Sequence, residues 1–263
     1  MSEAIRVAVS GAGGRMGREV VNAVLGAGPE LALVGAADPA FAGSSICEAL
    51  GADSPVIIER SLESVLESTP ADVAVVFSVP AAAMGDIRAA MEAKVAPVVG
   101  TTGISAENLD EIRTLAAQHG VGAIIAPNFA IGAVLMMKLA GEVAKHLPAV
   151  EIIELHHDKK LDAPSGTAIK TAEMIASGRR EVYEAASGEA PPARGGDFHG
   201  VRIHSVRLPG LIAHQEVIFG GLGQTLTIRH DSYDRKSFMP GVLLAIRKAR
   251  GLKGVFYGLE NIF

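Results

Sequence analysis

The stretch VAVSGAGGRMG, Val7 to Gly17, passes from strand-like alternation through four glycines into a segment with helical spacing. That order is what a dinucleotide pyrophosphate requires: glycines let the backbone approach the phosphates, and the free N–H groups at a helix start attract their charge. Gly11, Gly13 and Gly17 give G-x-G-x-x-x-G, with Met16 where the strict fingerprint has glycine. An ordinary glycine-rich turn between strand and helix would read the same way. Asp38 weighs against that plain reading. It stands 21 residues beyond Gly17, at the end of the next strand-like run, where a carboxylate can accept both hydroxyls of an adenosine ribose. Together the two features favour a nicotinamide dinucleotide, with flavin as the alternative.

Working outward, Ile5–Ser10, Leu31–Ala37, Asp72–Ser78, Pro97–Gly100 and Val121–Ala126 read as strands. Helical stretches lie between them at Arg15–Gly26, Ala81–Ala93 and Ala106–His119. Such alternation builds a doubly wound parallel sheet. After a helix over Ile131–Leu147 the texture changes. Val150–His157, Val201–Leu208, Gln215–Phe219 and Thr225–His230 read as strands around one helix, about Gly166–Ser177. The expected organisation is a Rossmann-type α/β domain of residues 1–130 plus about 235–263, and a smaller α+β domain of residues 131–234 for substrate binding and oligomerisation. Arg235–Arg250 has helical spacing and is expected to pack back on the first domain. Residues 183–200, YEAASGEAPPARGGDFHG, lack apolar periodicity and are expected to form a long mobile loop.

The 263 residues are 49% hydrophobic, enough for a sizeable core in one or two domains. Lys and Arg number 24 against 29 Asp and Glu, so the balance of −5 advertises neither nucleic acid nor an anionic membrane as partner. Cys47 is the only cysteine, which excludes an intrachain disulfide and suits a reducing cytoplasm. The N-terminal residues run into a strand and not into a secretory signal pattern. Ile124–Ala144 is apolar, but Pro127, Asn128, Lys138 and Glu142 interrupt it, so it reads as a strand, a loop and a helix.

A second cluster, ELHHDKKLDAPSGTA at Glu154–Ala168, gathers two histidines, two lysines and a turn. Strand alternation sends His156 and His157 to opposite faces if the strand extends that far, which implies two roles. Ser165 suits an N-cap, and the N–H groups of Gly166 and Thr167 would then form a carboxylate or phosphate cradle. Lys160 adds positive charge, and histidine suits proton transfer near neutral pH. A metal would need a third ligand, and adjacent histidines on one strand do not converge, so no metal is expected. A solvated basic turn accounts for Lys159 but not for the whole ensemble, which favours a dianionic small molecule.

GAGGRMG, GTTG at Gly100–Gly103, APNFAIG at Ala126–Gly132 and ELHHDKKLDAPSGTA together resemble, in order and over essentially the whole chain, the 4-hydroxy-tetrahydrodipicolinate reductase (dihydrodipicolinate reductase) family of the diaminopimelate route to lysine. The last motif is the specific one. The resemblance implies a cytoplasmic, homotetrameric NAD(P)H-dependent reductase of a small cyclic dicarboxylate. It casts His156 as catalytic acid and Lys160 as its proton-donating or charge-neutralising partner, with His157, Ser165, Gly166 and Thr167 on the substrate. The cofactor segments it implies are Gly11, Ala12, Gly13, Gly14, Arg15, Met16 and Asp38, then Gly100, Thr101 and Thr102, and finally Ala126, Pro127, Asn128 and Phe129. Family members that accept NADPH readily tend to carry a base after the acidic residue, whereas Pro39, Ala40 and Phe41 follow Asp38 here. NADH is therefore expected to be preferred, with NADPH also accepted through Arg15 or Arg18. The rival readings are an NAD-dependent amino-acid dehydrogenase such as an aspartate dehydrogenase, and a non-catalytic dinucleotide sensor.

Overall fold

The structure, a computed structural model, describes residues 3–180 and 192–263. β1 (Ile5–Ser10) leads through the glycine turn into α1 (Arg15–Gly26) and β2 (Leu31–Ala37). There follow α2 (Ile46–Leu50), β3 (Ile58–Glu59), α3 (Leu62–Ser68), β4 (Val73–Val76), α4 (Pro80–Glu92), β5 (Ala96–Val99), α5 (Ala106–His119) and β6 (Ala123–Ile125). Next come α6 (Ile131–Val143), β7 (Ala149–His156), α7 (Gly166–Gly178), β8 (Gly196–Phe198), β9 (Val201–Arg207), β10 (Ala213–Gly221) and β11 (Gln224–Ser232). α8 (Met239–Ala249) and β12 (Val255–Tyr257) end the chain. Two compact units result, Met1–Phe129 with Phe238–Phe263, and Ala130–Ser237.

In the first unit the sheet order is β12-β6-β5-β4-β1-β2-β3, all parallel. The chain winds outward from β1 in both directions, which leaves a crevice beyond the carboxyl ends of β1 and β4. One face buries Ala8, Ala74, Val76 and Val99 against Leu62, Ile87, Met91 and Ile112 of α3, α4 and α5. α1 and α8 pack together on the other, where Val20, Val21 and Val24 recur at helical spacing and are fully buried. Parallel pairing puts the residues after β1, β2, β5 and β6 at one edge of the sheet. Those residues are the glycine loop, Asp38, Gly100–Thr102 and Ala126–Phe129.

β3 and β12, which the sequence pattern does not announce, add a strand at each edge. At two and three residues they are too short to show a period. Residues 39–71, for which no element is expected, hold α2, with a capping box between Ser45 and Glu48, and α3, capped by Ser61. The expected tail helix divides into a 3₁₀ turn at Arg235–Phe238 and α8, beginning just ahead of Pro240.

In the second unit the order is β11-β10-β7-β9-β8, with β7 and β9 parallel and the other pairs antiparallel. Alternation along β7 buries Val150, Ile152 and Glu154 on the side covered by α6 and α7. Two expectations need correction. β7 stops at His156, where the Leu208 N–H donates to the His156 carbonyl, so His157 belongs to a turn and not to the strand. In the expected loop, residues 183–191 lie outside the described residues, but Gly196–Phe198 pairs antiparallel with β9. Ile124–Ala144 is the end of β6, a loop and α6, and no helix among the described residues is long and apolar enough to cross a membrane.

Candidate active site

The first unit gathers the dinucleotide segments. Gly11 has φ +75°, and its N–H and that of Ala12 donate to the Ala37 carbonyl at 2.9 and 3.1 Å. A Cβ on Gly17 would lie 1.9 Å from the Gly11 oxygen, and one on Gly11 2.6 Å from the Phe77 oxygen. These two glycines are demanded by close approach of backbone to backbone. α1 starts at Arg15 without a side-chain cap or an acidic residue in its first turn, so its positive end is left for an anion. Gly14 and Arg15 are exposed, and Met16 is half-buried. This cradle fits a pyrophosphate.

Asp38 stands beside it. Its carboxylate accepts from the Gly13 N–H at 2.9 Å and the Ala40 N–H at 3.0 Å. Arg18 donates through Nε to the Gly13 carbonyl at 2.9 Å, and its guanidinium lies 5.3 Å from the centre of the Phe41 ring. Phe41 leaves no room for a Cβ on Gly13. Asp38, Phe41 and Arg18 therefore surround Gly13 at the end of β2. Across the sheet edge, Gly100 abuts the Phe77 ring, and the buried Thr101 hydroxyl donates to the Ser78 carbonyl at 2.8 Å, while Thr102 is exposed. The Ala126 N–H donates to the Val99 carbonyl at 2.9 Å, and the buried Phe129 ring lies 5.9 Å from that of Phe77. Pro127 is exposed and Asn128 half-buried. Asp86 on α4 was not foreseen: it accepts from the Ser10 and Ser78 hydroxyls at 2.8 and 2.6 Å, and burial pushes its carboxyl above the usual range.

The second unit holds the proposed acid. His156 Nδ1 lies 2.5 Å from Glu154 Oε2, and the Glu154 side chain is fully buried. Arg207 Nη1 and Nη2 donate to the two oxygens of that carboxylate at 2.9 and 2.7 Å, and the Ser165 N–H donates to Oε1 at 3.3 Å. Burial pushes the Glu154 carboxyl up, but hydrogen bonds from His156, Arg207 and Ser205 outweigh it and bring it to about 2. Ser165 caps α7 as expected, accepting from the Ala168 N–H at 3.2 Å. Gly166 is exposed, with open space where a Cβ would sit, Thr167 is half-buried, and no acid occupies the first turn of α7.

Lys160 Nζ pairs with both Asp162 oxygens, at 2.6 and 2.7 Å, a contact that holds the Asp162 carboxyl below the usual range. Arg207 Nη2 also donates to the Asp162 carbonyl at 2.8 Å. Thus His156, Ser165 and the Lys160 turn are joined through Glu154 and Arg207, whereas His157, whose carbonyl accepts the Lys160 N–H at 3.1 Å, is exposed. Among the described residues no group of three or more His, Cys, Asp or Glu side chains could hold a metal ion.

Residues 5–129 match the family model for the N-terminus of dihydrodipicolinate reductase, and residues 132–263 match that for its C-terminus. The chain belongs to the dihydrodipicolinate reductase family. It is similar to the 4-hydroxy-tetrahydrodipicolinate reductase of Moorella thermoacetica, 52% identical over 265 aligned positions that span 100% of this chain and 99% of the relative. That of Desulfitobacterium hafniense is 54% identical over 263 positions, 98% of each chain. A solved structure of a dipicolinate-bound dihydrodipicolinate reductase from Paenisporosarcina sp. TG-14 matches with a TM-score of 0.88 at 45% identity, covering 99% of this chain and 100% of that one. The dihydrodipicolinate reductase likeness therefore takes in both the glycine loop and the Glu154–Ala168 cluster.

Proposed function

We propose that the chain carries out its family's reaction, reduction of 4-hydroxy-tetrahydrodipicolinate to tetrahydrodipicolinate, in which a hydride and a proton are added and the 4-hydroxyl is lost as water, with His156 as proton donor and Lys160 as charge partner. The observation that supports this most directly is the clamped His156 beside the capped start of α7, a proton donor next to an anion cradle. Bound NAD(P)H supplies the hydride. The first unit is assigned to that cofactor and the second to the small dicarboxylate substrate. The N–H groups at Gly166 and Thr167 receive one substrate carboxylate. Lys160 exchanges Asp162 for the other, replacing one charge-assisted bond by another. His156 protonates the atom that gains electron density, and His157 contributes from the turn that follows.

NADH is the proposed preferred cofactor, because Asp38 can accept ribose hydroxyls but repels a 2′-phosphate. A homotetramer is proposed through the second unit, whose sheet has helices on one face and Ile153, Leu155 and Ile218 half-buried on the other. The proposed location is the cytoplasm, in keeping with the lone Cys47. An amino-acid dehydrogenase would share the glycine loop but has no use for DAPSGTA after two histidines. The test adds the condensation product of pyruvate and aspartate-semialdehyde to the protein with NADH. Oxidation of NADH is expected; none with that substrate, but turnover with aspartate, would replace this reading with its rival.

A further inference from the structure

We infer that Glu154 is a positioning residue that ties the proton donor and the carboxylate cradle to one point, with Arg207 as its fixed counter-cation. The inference rests on His156 being the proton donor. Glu154 and His156 are two apart on β7 and so share a face. An ionised carboxylate only accepts, so the 2.5 Å contact requires the hydrogen on His156 Nδ1. Nε2 is then the nitrogen that gains and loses the transferable proton. The other oxygen, Oε1, accepts from the backbone of Ser165, the residue that caps α7. One buried group thus sets the spacing between imidazole and helix start. Gln215, paired opposite Glu154 on β10, adds a second tie: its Nε2 donates to Thr171 Oγ1, which donates to the Thr167 carbonyl.

Arg207 completes the unit. Parallel register puts it opposite His156 on β9, from where its guanidinium grips both Glu154 oxygens and the carbonyl of Asp162 in the Lys160 turn. Removing either partner alone would bury an uncompensated charge, so each single change confounds folding with function. If the pair served stability alone, apolar or neutral replacements of both would leave activity intact. A merely structural clamp and a positioning clamp therefore differ in the double variant.

The experiment compares Glu154→Gln, Arg207→Met, the double variant, His156→Ala and the unmodified chain. Each is measured for thermal midpoint, NADH dissociation constant, affinity for dipicolinate as a planar dicarboxylate probe, and kcat. In the double variant the midpoint should return towards the unmodified value and NADH affinity should stay within about twofold. Its kcat should remain lower by a factor on the order of 10², and dipicolinate binding should weaken about fivefold, because an amide offers one acceptor oxygen where the imidazole and the helix start together use two. A stable double variant with kcat and dipicolinate affinity within twofold of the unmodified chain overturns the inference while the His156 reading stands. Should His156→Ala itself turn over normally, the reading fails and the inference with it.

Discussion

In its proposed role as acid, His156 has one ring nitrogen committed to a carboxylate, which leaves the other to transfer a proton. His156→Ala and Lys160→Ala should each lower kcat by a factor on the order of 10²–10⁴ with NADH affinity nearly unchanged, since neither lies in the dinucleotide unit. Steady-state rates with a parallel NADH titration check this; near-normal turnover by either variant would remove it from the reaction. In the proposed reading, cofactor choice turns on Asp38 and Arg18. Asp38 faces a 2′-phosphate with like charge, but Arg18, held against Gly13 and Phe41, is placed to offset part of the repulsion. NADH should be favoured in kcat/KM by roughly tenfold, about 1.4 kcal/mol, and Arg18→Gln should lower NADPH efficiency more than NADH efficiency. Equal or better NADPH efficiency in the unmodified chain would contradict the Asp38 argument. His156, Lys160 and Ser165 could be singled out in the sequence by their chemistry. Arg207 could not: it lies 53 positions from Glu154, and only the β7–β9 pairing joins them. Glu154 stood inside the quoted motif, but nothing in its neighbours says that it is buried.

The two helix starts to which binding is assigned in the proposed reading are built differently. α1 is bare at its N-terminus and relies on glycines, whereas α7 spends a serine hydroxyl on its own cap. In α1, Gly17→Ala would drive a Cβ to 1.9 Å from the Gly11 oxygen, whereas Gly26→Ala, in the last turn of the same helix, would meet open space. The first should cost about 1–3 kcal/mol and weaken NADH binding at least tenfold; the second should stabilise by about 0.5 kcal/mol. Denaturant melts and NADH titrations separate them, and similar effects from both would mean that backbone approach at the loop is not the constraint. In α7, Thr167→Asp places a negative charge where a substrate carboxylate must sit, so KM should rise steeply while NADH binding survives. Equal damage to both ligands would mark that turn as a folding element. Legibility followed length at this scale. The long strands and helices could be read from their periods, whereas β3, β8 and β12 exist because a neighbouring strand offers an unpaired edge, which is a tertiary fact.

For the whole molecule, the division into a parallel α/β unit and a mixed-sheet unit was readable because the texture changes after the helix over Ile131–Leu147, while the proposed assembly rests on a surface that no local pattern describes. The face of the second sheet opposite α6 and α7 carries Ile153, Leu155 and Ile218, with Glu151 paired to His204 and Arg194, and Glu216 paired to Arg229. Ion pairs that are satisfied within the chain can be covered by another subunit without leaving charges unpaired, and the apolar residues between them gain from being covered. Leu222 at the tip of the β10–β11 hairpin is fully exposed and adds to the apolar surface. A chain that kept all of this in water would expose an apolar patch of the kind that marks contact sites. For the proposed homotetramer, light scattering at micromolar concentration should give four chain masses. Ile218→Glu sets a third carboxylate beside Glu151, directly opposite it on β7, and should reduce the assembly to smaller species without altering the secondary structure seen by circular dichroism. The same variant should lower the thermal midpoint in a concentration-dependent way, because association stabilises only the folded chain. A monomer for the unmodified protein at the same concentration, or a tetramer that survives Ile218→Glu with an unchanged midpoint, would assign this sheet face to water and require the subunit contact to be sought on another surface.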